Sequence, residues 1–373
     1  MKSVYITGSG LFTPEQSISN AELVAAFNTW AESWNAKNAK AIEAGEMTAK
    51  ALSSVEFIEK ASGIKSRYVL DKKGILDPER MKPWLPERPN DQPSVQAEMA
   101  VKAAEQALNQ AGIRGDQLDM VILACSNPQR AYPAVAIEVQ QLLGAGGFAY
   151  DMNVACSSAT FGIQAACNAI QTGQASRVLM VNPEICSAHL NFCDRDSHFI
   201  FGDACTAVVL EAADVAQASD AFEVFSSKLL TQFSNNIRNN AGFLNRCDES
   251  GLNKADKLFV QEGRKVFKEV CPLVAEMITE QLQVNGLQAE DLSRLWLHQA
   301  NLNMNQLIAR RVLGREASET EAPVILDRYA NTSSAGSIIA FHLHRDDLKT
   351  GDLGVICSFG AGYSAGCLLV KKV

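Results

Sequence analysis

The sequence predicts an α/β fold made of two similar halves, and two observations carry that prediction. The first is alternation. Short apolar runs recur between amphipathic helical stretches along most of the 373 residues, a pattern that builds a mostly parallel sheet with helices on its faces. The second is a repeat. Residues 111–127 align with residues 285–301 at a constant offset of 174, so that Gly112 falls on Gly286, Leu118 on Leu292, Leu123 on Leu297 and Asn127 on Asn301. Phe201-Gly-Asp-Ala-Cys-Thr-Ala207 aligns with Phe359-Gly-Ala-Gly-Tyr-Ser-Ala365 at an offset of 158, which leaves 16 extra residues near 184–200 in the first half.

These alignments divide the chain into halves at 1–218 and 219–373. Predicted strands of the first half fall at 4–8, 120–124, 148–152, 178–181 and 207–211. Those of the second fall at 222–230, 294–297, 323–326, 353–357 and 366–370. The best-marked helix spans about 157–171, with Ala159, Ile163, Ala166 and Ile170 at helical spacing and Gly173 as its stop signal. Cap insertions stand outside the repeat at about 28–60, 76–93 and 184–200. The first is a polar, Ala-rich helical pattern with Trp30 and Trp34; the second carries Pro78, Pro83, Pro86, Pro89 and Pro93. Surface decoration and a lid or dimer-facing cap are both open readings.

Composition narrows the setting. A net charge of −8 argues against bulk nucleic-acid binding. No apolar run reaches the roughly 18 residues of a membrane span. The N-terminus enters a strand pattern without a signal-peptide core. The ten cysteines form no CxxC pair, which argues against a zinc site or a disulfide framework and for a reducing, cytoplasmic location.

Cys156 lies in Asp151-Met-Asn-Val-Ala-Cys156-Ser-Ser-Ala-Thr-Phe-Gly162, between a predicted strand and the helix that follows. A helix N-terminus offers a positive dipole end and unpaired N–H groups, which lower a thiol pKa and favour thiolate. An inert core thiol fits the same segment. His298 in Trp296-Leu-His298-Gln-Ala-Asn301 also follows a strand, where a satisfied structural histidine is the alternative. Asn331 in Tyr329-Ala-Asn331-Thr-Ser-Ser-Ala335 suits an N-cap equally well. The turn at Phe359-Gly-Ala-Gly can be a tight loop or a source of backbone oxyanion donors. All of these sit just past strand ends, where α/β sheets collect their sites.

In order, Gly63-Ile64, Ala-Cys156-Ser, Asp194-Arg195, Phe201-Gly-Asp203, His298-Gln-Ala-Asn301, Asp327-Arg-Tyr-Ala-Asn331-Thr-Ser and Phe359-Gly-Ala-Gly resemble the thiolase superfamily and, within it, the β-ketoacyl-acyl-carrier-protein synthase III family. The resemblance covers nearly the whole chain. It implies the thiolase fold, with two pseudo-repeated halves packed as a layered αβαβα sandwich. It also implies a condensing enzyme of fatty-acid or related lipid and polyketide biosynthesis. Cys156 would take an acyl group from acyl-CoA or acyl-carrier protein as a thioester. His298 and Asn331 would hold the malonyl-carrier-protein thioester during decarboxylation, and the amides of Cys156 and of Gly360 or Ala361 would stabilise the oxyanion. No metal or organic cofactor is implied. A homodimer is, with Tyr132 as the acyl-pocket gate supplied by the partner. Competing readings are an acyltransferase of the same fold that does not decarboxylate, and a non-catalytic partner subunit.

Departures from the family bear on substrate. Phe57 and Ala61 stand where the family often carries a tryptophan and an arginine for coenzyme A, and Asn303 replaces a basic residue, although Lys60 is nearby. Lys268, Arg310 and Arg311 match basic positions that meet carrier protein or pantetheine. These changes, with the cap insertions and the small residues Ser157, Ser158, Ala159, Cys205 and Thr206, suggest a pocket for a medium-chain primer. Each buried methylene contributes about 0.8 kcal/mol, favouring about six to ten carbons.

Overall fold

Capping residues set several helix ends locally. Ser94 accepts a hydrogen bond from the Ala97 N–H, and Gly112 closes the same helix at φ 70°. Ser19 forms a capping box with Glu22. The structure, a computed structural model, describes residues 2–240, 249–251 and 254–373; Cys247 lies outside them.

The first half begins with β1 (Val4–Phe12), β2 (Gln16–Ser19), α1 (Asn20–Lys37), α2 (Ala39–Glu43), α3 (Val55–Ser62), β3 (Ser66–Val69) and α4 (Lys72–Leu76). It continues through α5 (Val95–Ala111), β4 (Met120–Ala124), α6 (Val135–Leu143), β5 (Phe148–Met152), α7 (Ser158–Gln171), β6 (Arg177–Ile185) and β7 (Asp203–Ala212). The second half opens with β8 (Phe222–Ser234), β9 (Ile237–Arg238), β10 (Val260–Gln261), α8 (Gly263–Val284) and β11 (Leu292–Leu297). It ends with α9 (Leu302–Leu313), α10 (Leu326–Tyr329), α11 (Ala335–Leu343), β12 (Leu353–Gly360) and β13 (Gly362–Lys372).

Nine strands join in the order β11-β12-β13-β8-β1-β7-β6-β4-β5. Read outward from the centre, β1-β7-β6-β4-β5 and β8-β13-β12-β11 follow the same path, so the repeat seen in the sequence is also a repeat of topology. The expectation of a mostly parallel sheet is corrected. Only β4–β5, β4–β6 and β11–β12 are parallel, whereas β1–β7, β1–β8, β6–β7, β12–β13 and β8–β13 are antiparallel. Hairpin-type connections such as the turn between β12 and β13 impose that direction.

The strand predicted at 323–326 does not form. Pro323 has no N–H to donate, and the Gln299 side chain takes the partners a strand would have used. Its Oε1 accepts from the Ile325 and Leu326 N–H groups at 3.0 and 3.4 Å, while its Nε2 donates to Leu297 O and Pro323 O. α10 starts at once, and the second half lacks its outermost strand.

Alternating strand residues face opposite layers. Ile122, Met180 and Val208 from one half and Trp296, Ile356 and Leu368 from the other meet α7 and α11 in a central core. Val121, Leu123 and Leu179 turn outward onto α5 and α6, and Leu295, Val355 and Leu369 onto α8 and α9. Helix, half-sheet, helix, half-sheet, helix: this is the αβαβα layering of the thiolase fold. A fourth cluster joins Leu23, Phe27 and Ile58 to Cys186, Phe192, Phe199 and Phe201. The excursions at 28–60 and 184–200 thus pack together as one cap. The 76–93 stretch contributes Met81 to it and leaves Trp84 exposed.

Candidate active site

Cys156 stands on a strained turn between β5 and α7. Ala155 adopts φ 48°, in the left-handed region that costs a non-glycine residue roughly 1–2 kcal/mol. Local bonds hold it there. Asn153 Oδ1 accepts from the Ala155 N–H at 2.9 Å, and Ser158 Oγ accepts from the Val154 N–H while donating to Ala155 O at 2.7 Å. Ser157 Oγ donates to Ser364 O at 2.9 Å, which ties the turn to the second half.

The other half delivers three segments to the thiol. His298 follows the end of β11; its N–H donates to Cys357 O at 2.8 Å and its ring packs edge-on against Phe359 at 5.2 Å. Asn331 is fixed by its backbone, donating to Ile200 O and accepting from Gly202 N–H. Its Oδ1 accepts from the Ser333 N–H at 2.8 Å, so the side-chain Nδ2 is the end left for a ligand. Ser333, at φ 49°, donates its hydroxyl to Cys156 Sγ at 3.5 Å. Gly360 lies so close that a Cβ placed there would meet Cys156 Cβ at 2.6 Å and Sγ at 3.0 Å. Asn301 serves structure: it caps α9 through the Asn303 N–H and donates to Ala61 O at 2.7 Å, pinning α3 beside the site.

The electrostatics correct one expectation. Burial pushes the Cys156 thiol up to about 11, with Glu184 adding to the rise; the Ser333 hydroxyl and the Ala361 and Cys156 N–H groups oppose it without prevailing. The resting thiol is therefore protonated despite its place before a helix. Burial pushes His298 down to about 4, with the Ser333 backbone opposing, so its imidazole is uncharged at neutral pH. Its Nδ1 is buried without a hydrogen-bond partner.

A cavity of about 980 Å³ connects these groups to the surface. Cys156, His298, Asn331 and Gly360 line it together with Phe199, Phe201, Phe259 and Met304. Phe57, Ala61, Asn303, Arg264 and Lys268 also line it, and the Arg195 guanidinium lies 3.8 Å over the Phe57 ring. Arg310 and Arg311 do not reach the cavity. They are exposed at the far end of α9, where Arg310 pairs with Glu316 at 3.1 Å. Tyr132 is 84% exposed and does not line the cavity of its own chain. Nor do Ser157, Ser158, Ala159, Cys205 and Thr206, which are buried in the framework, so they do not enlarge the pocket. Sequence reasoning missed Ser333 and Arg264. The first sits two residues beyond Asn331 and the second one helical turn before Lys268. Among the described residues no group of three or more His, Cys, Asp or Glu is placed to hold a metal. Among the described residues no helix is long and apolar enough to cross a membrane.

Comparison with known proteins agrees with this arrangement. Residues 150–231 match the family described as 3-oxoacyl-[acyl-carrier-protein (ACP)] synthase III, and residues 282–372 match its C-terminal counterpart. A β-ketodecanoyl-[acyl-carrier-protein] synthase of Pseudomonas aeruginosa is 66% identical over 346 residues, which is 93% of this chain and 99% of that protein. A β-ketoacyl-[acyl-carrier-protein] synthase III of Bradyrhizobium diazoefficiens is 28% identical over 371 residues, 98% of each chain. The crystal structure of the Aquifex aeolicus 3-oxoacyl-[acyl-carrier-protein] synthase III matches with a TM-score of 0.76 at 25% identity, covering 99% of both chains. Layered fold, sequence and the thiol–imidazole–amide cavity lead to one assignment: the chain belongs to the 3-oxoacyl-[acyl-carrier-protein] synthase III family of condensing acyltransferases.

Proposed function

We propose that this condensing enzyme lengthens a medium-chain acyl thioester by two carbons, with Cys156 as the acylated nucleophile and His298 and Asn331 as the decarboxylation pair. The observation that carries the proposal is the single cavity in which the thiol, the uncharged imidazole and the oriented amide meet. In the first half-reaction the thiol sulfur attacks the acyl carbonyl, loses its proton and expels the donor thiol, which takes up a proton. The Cys156 and Ala361 N–H groups stand beside the sulfur and would hold the oxyanion. In the second, His298 and Asn331 Nδ2 hydrogen-bond the malonyl thioester carbonyl as carbon dioxide leaves. The resulting enolate carbon attacks the acyl-cysteine carbonyl and expels the Cys156 thiolate, which takes up a proton from solvent to restore the thiol. The scheme calls for no metal or organic cofactor.

Chain length follows from carbon count. A β-ketodecanoyl product of the kind named for the Pseudomonas relative carries two carbons from malonate and therefore needs an eight-carbon primer. That lies within the range of about six to ten carbons suggested by methylene burial. Carrier protein would deliver malonate to the basic rim at Lys268 and Arg264, with Arg310 and Arg311 as outlying contacts. A homodimer is supported by the sheet edge: Phe148 on β5, Ile137 and Leu142 on α6 and Tyr132 are all exposed apolar groups there. Tyr132 would then close the partner's acyl pocket. The free cysteines suit a reducing, cytoplasmic setting. Measuring kcat/KM from acetyl to dodecanoyl donors tests the length assignment. A maximum near octanoyl supports it, and a maximum at acetyl with steady decline contradicts it.

A further inference from the structure

Glu184 is a fully buried carboxylate at the end of β6 that the scheme above does not use. Its hydrogen bonds reach two segments that meet at the thiol. From Ser126, beyond β4, it accepts the N–H at 3.0 Å and the hydroxyl at 2.6 Å. From Ser334, before α11, it accepts the N–H at 3.2 Å and the hydroxyl. Each serine leads on to Cys156. The Ser126 carbonyl accepts from Asn153 Nδ2 at 2.8 Å, and Asn153 Oδ1 holds the Ala155 N–H of the strained turn. Ser334 follows Ser333, whose hydroxyl meets the sulfur and whose N–H orients Asn331.

We propose that Glu184 is a positioning residue for the condensation: by clamping Ser126 and Ser334 it brings the turn bearing Cys156 and the turn bearing Ser333 and Asn331 into register at the thiol. Only an acceptor with two oxygens meets this set of donors without another donor in the way. Glutamine retains Oε1 for Ser334 and can face the rotatable Ser126 hydroxyl with its amide, whereas alanine leaves buried donors unpaired. The proposal rests on Cys156 being the acylated nucleophile. Titratable groups facing Glu184 are Cys125, Cys186, Cys205 and Cys156, and His298 shares the cavity with the thiol. Burial raises the Glu184 carboxyl, opposed by its serine partners.

A double-mutant cycle reads the clamp directly. Iodoacetamide alkylation of Cys156, located by peptide mass, is followed across pH in wild type, E184Q, E184A, S333A and the two combinations with S333A. In wild type and in E184Q, S333A should slow alkylation near pH 8 by about fivefold, the scale of one lost hydrogen bond to the sulfur. In E184A, S333A should change it by less than about twofold, because the hydroxyl is no longer held on the sulfur. Condensation kcat should fall about tenfold in E184A with the malonyl-donor KM nearly constant, and E184Q should recover most of that loss. If E184A does not fold, S334A replaces it and should give the same loss of coupling. An equal S333A effect in every background, or equal kcat losses in E184Q and E184A, overturns the proposal. Failure of the reading beneath it is recognised separately, as wild-type enzyme that forms no acyl adduct on Cys156 while the alkylation cycle remains readable.

Discussion

At Gly360 a single methyl group decides whether the thiol can keep its place. An added Cβ would lie 2.6 Å from Cys156 Cβ and 3.0 Å from Sγ. G360A should therefore lower the acylation rate by about 100-fold, the cost of misplacing a reacting group by about an ångström. The melting temperature should move little. Wild-type acylation in G360A would mean that the thiol tolerates displacement and that the turn is only a loop. That Cys156, His298 and Asn331 line one cavity was expected from the sequence because their segments occur in a fixed order with distinctive neighbours. The state of the thiol was not. A helix start argued for thiolate, but burial in the folded protein pushes Cys156 up to about 11. Ser333 was likewise hidden, because nothing in Asn-Thr-Ser-Ser announces a residue at φ 49°.

Among the elements, α8 bears most directly on partners. Arg264 and Lys268 are one turn apart on it, exposed, and both border the cavity. Charge reversal of this pair should raise the carrier-protein KM several-fold at low salt, with the effect fading as the Debye length falls below about 10 Å. Reversal of Arg310 and Arg311 should do less, since they sit at the far end of α9 and Arg310 already has Glu316. An unchanged KM in the Arg264 and Lys268 variant at low salt would move the docking surface elsewhere. Most strands were readable from apolar runs. The segment 323–326 carried the same pattern and still formed no strand, because a side chain, Gln299, supplied the bonds that a strand ladder would have made. Composition cannot reveal a partner that comes from another segment.

In the whole molecule, duplication explains both what the sequence disclosed and where the chemistry lies. Two copies of one strand order place the ends of β5 and β11 on facing halves, so that a cysteine from one and a histidine and asparagine from the other share a cavity. The antiparallel strands of the sheet were not legible, since strand direction depends on connections rather than on apolar pattern. The central proposal is that Cys156 carries a medium acyl chain and passes it to a malonyl-derived enolate. Incubation of the wild-type enzyme with octanoyl-CoA, followed by intact-mass and peptide analysis, should show an octanoyl adduct on Cys156. A malonyl-carrier-protein chase should then release carbon dioxide and yield β-ketodecanoyl-carrier protein. H298A and N331A should acquire the adduct but discharge it roughly 100- to 1000-fold more slowly. An adduct on another residue, or discharge without carbon dioxide, would contradict the account.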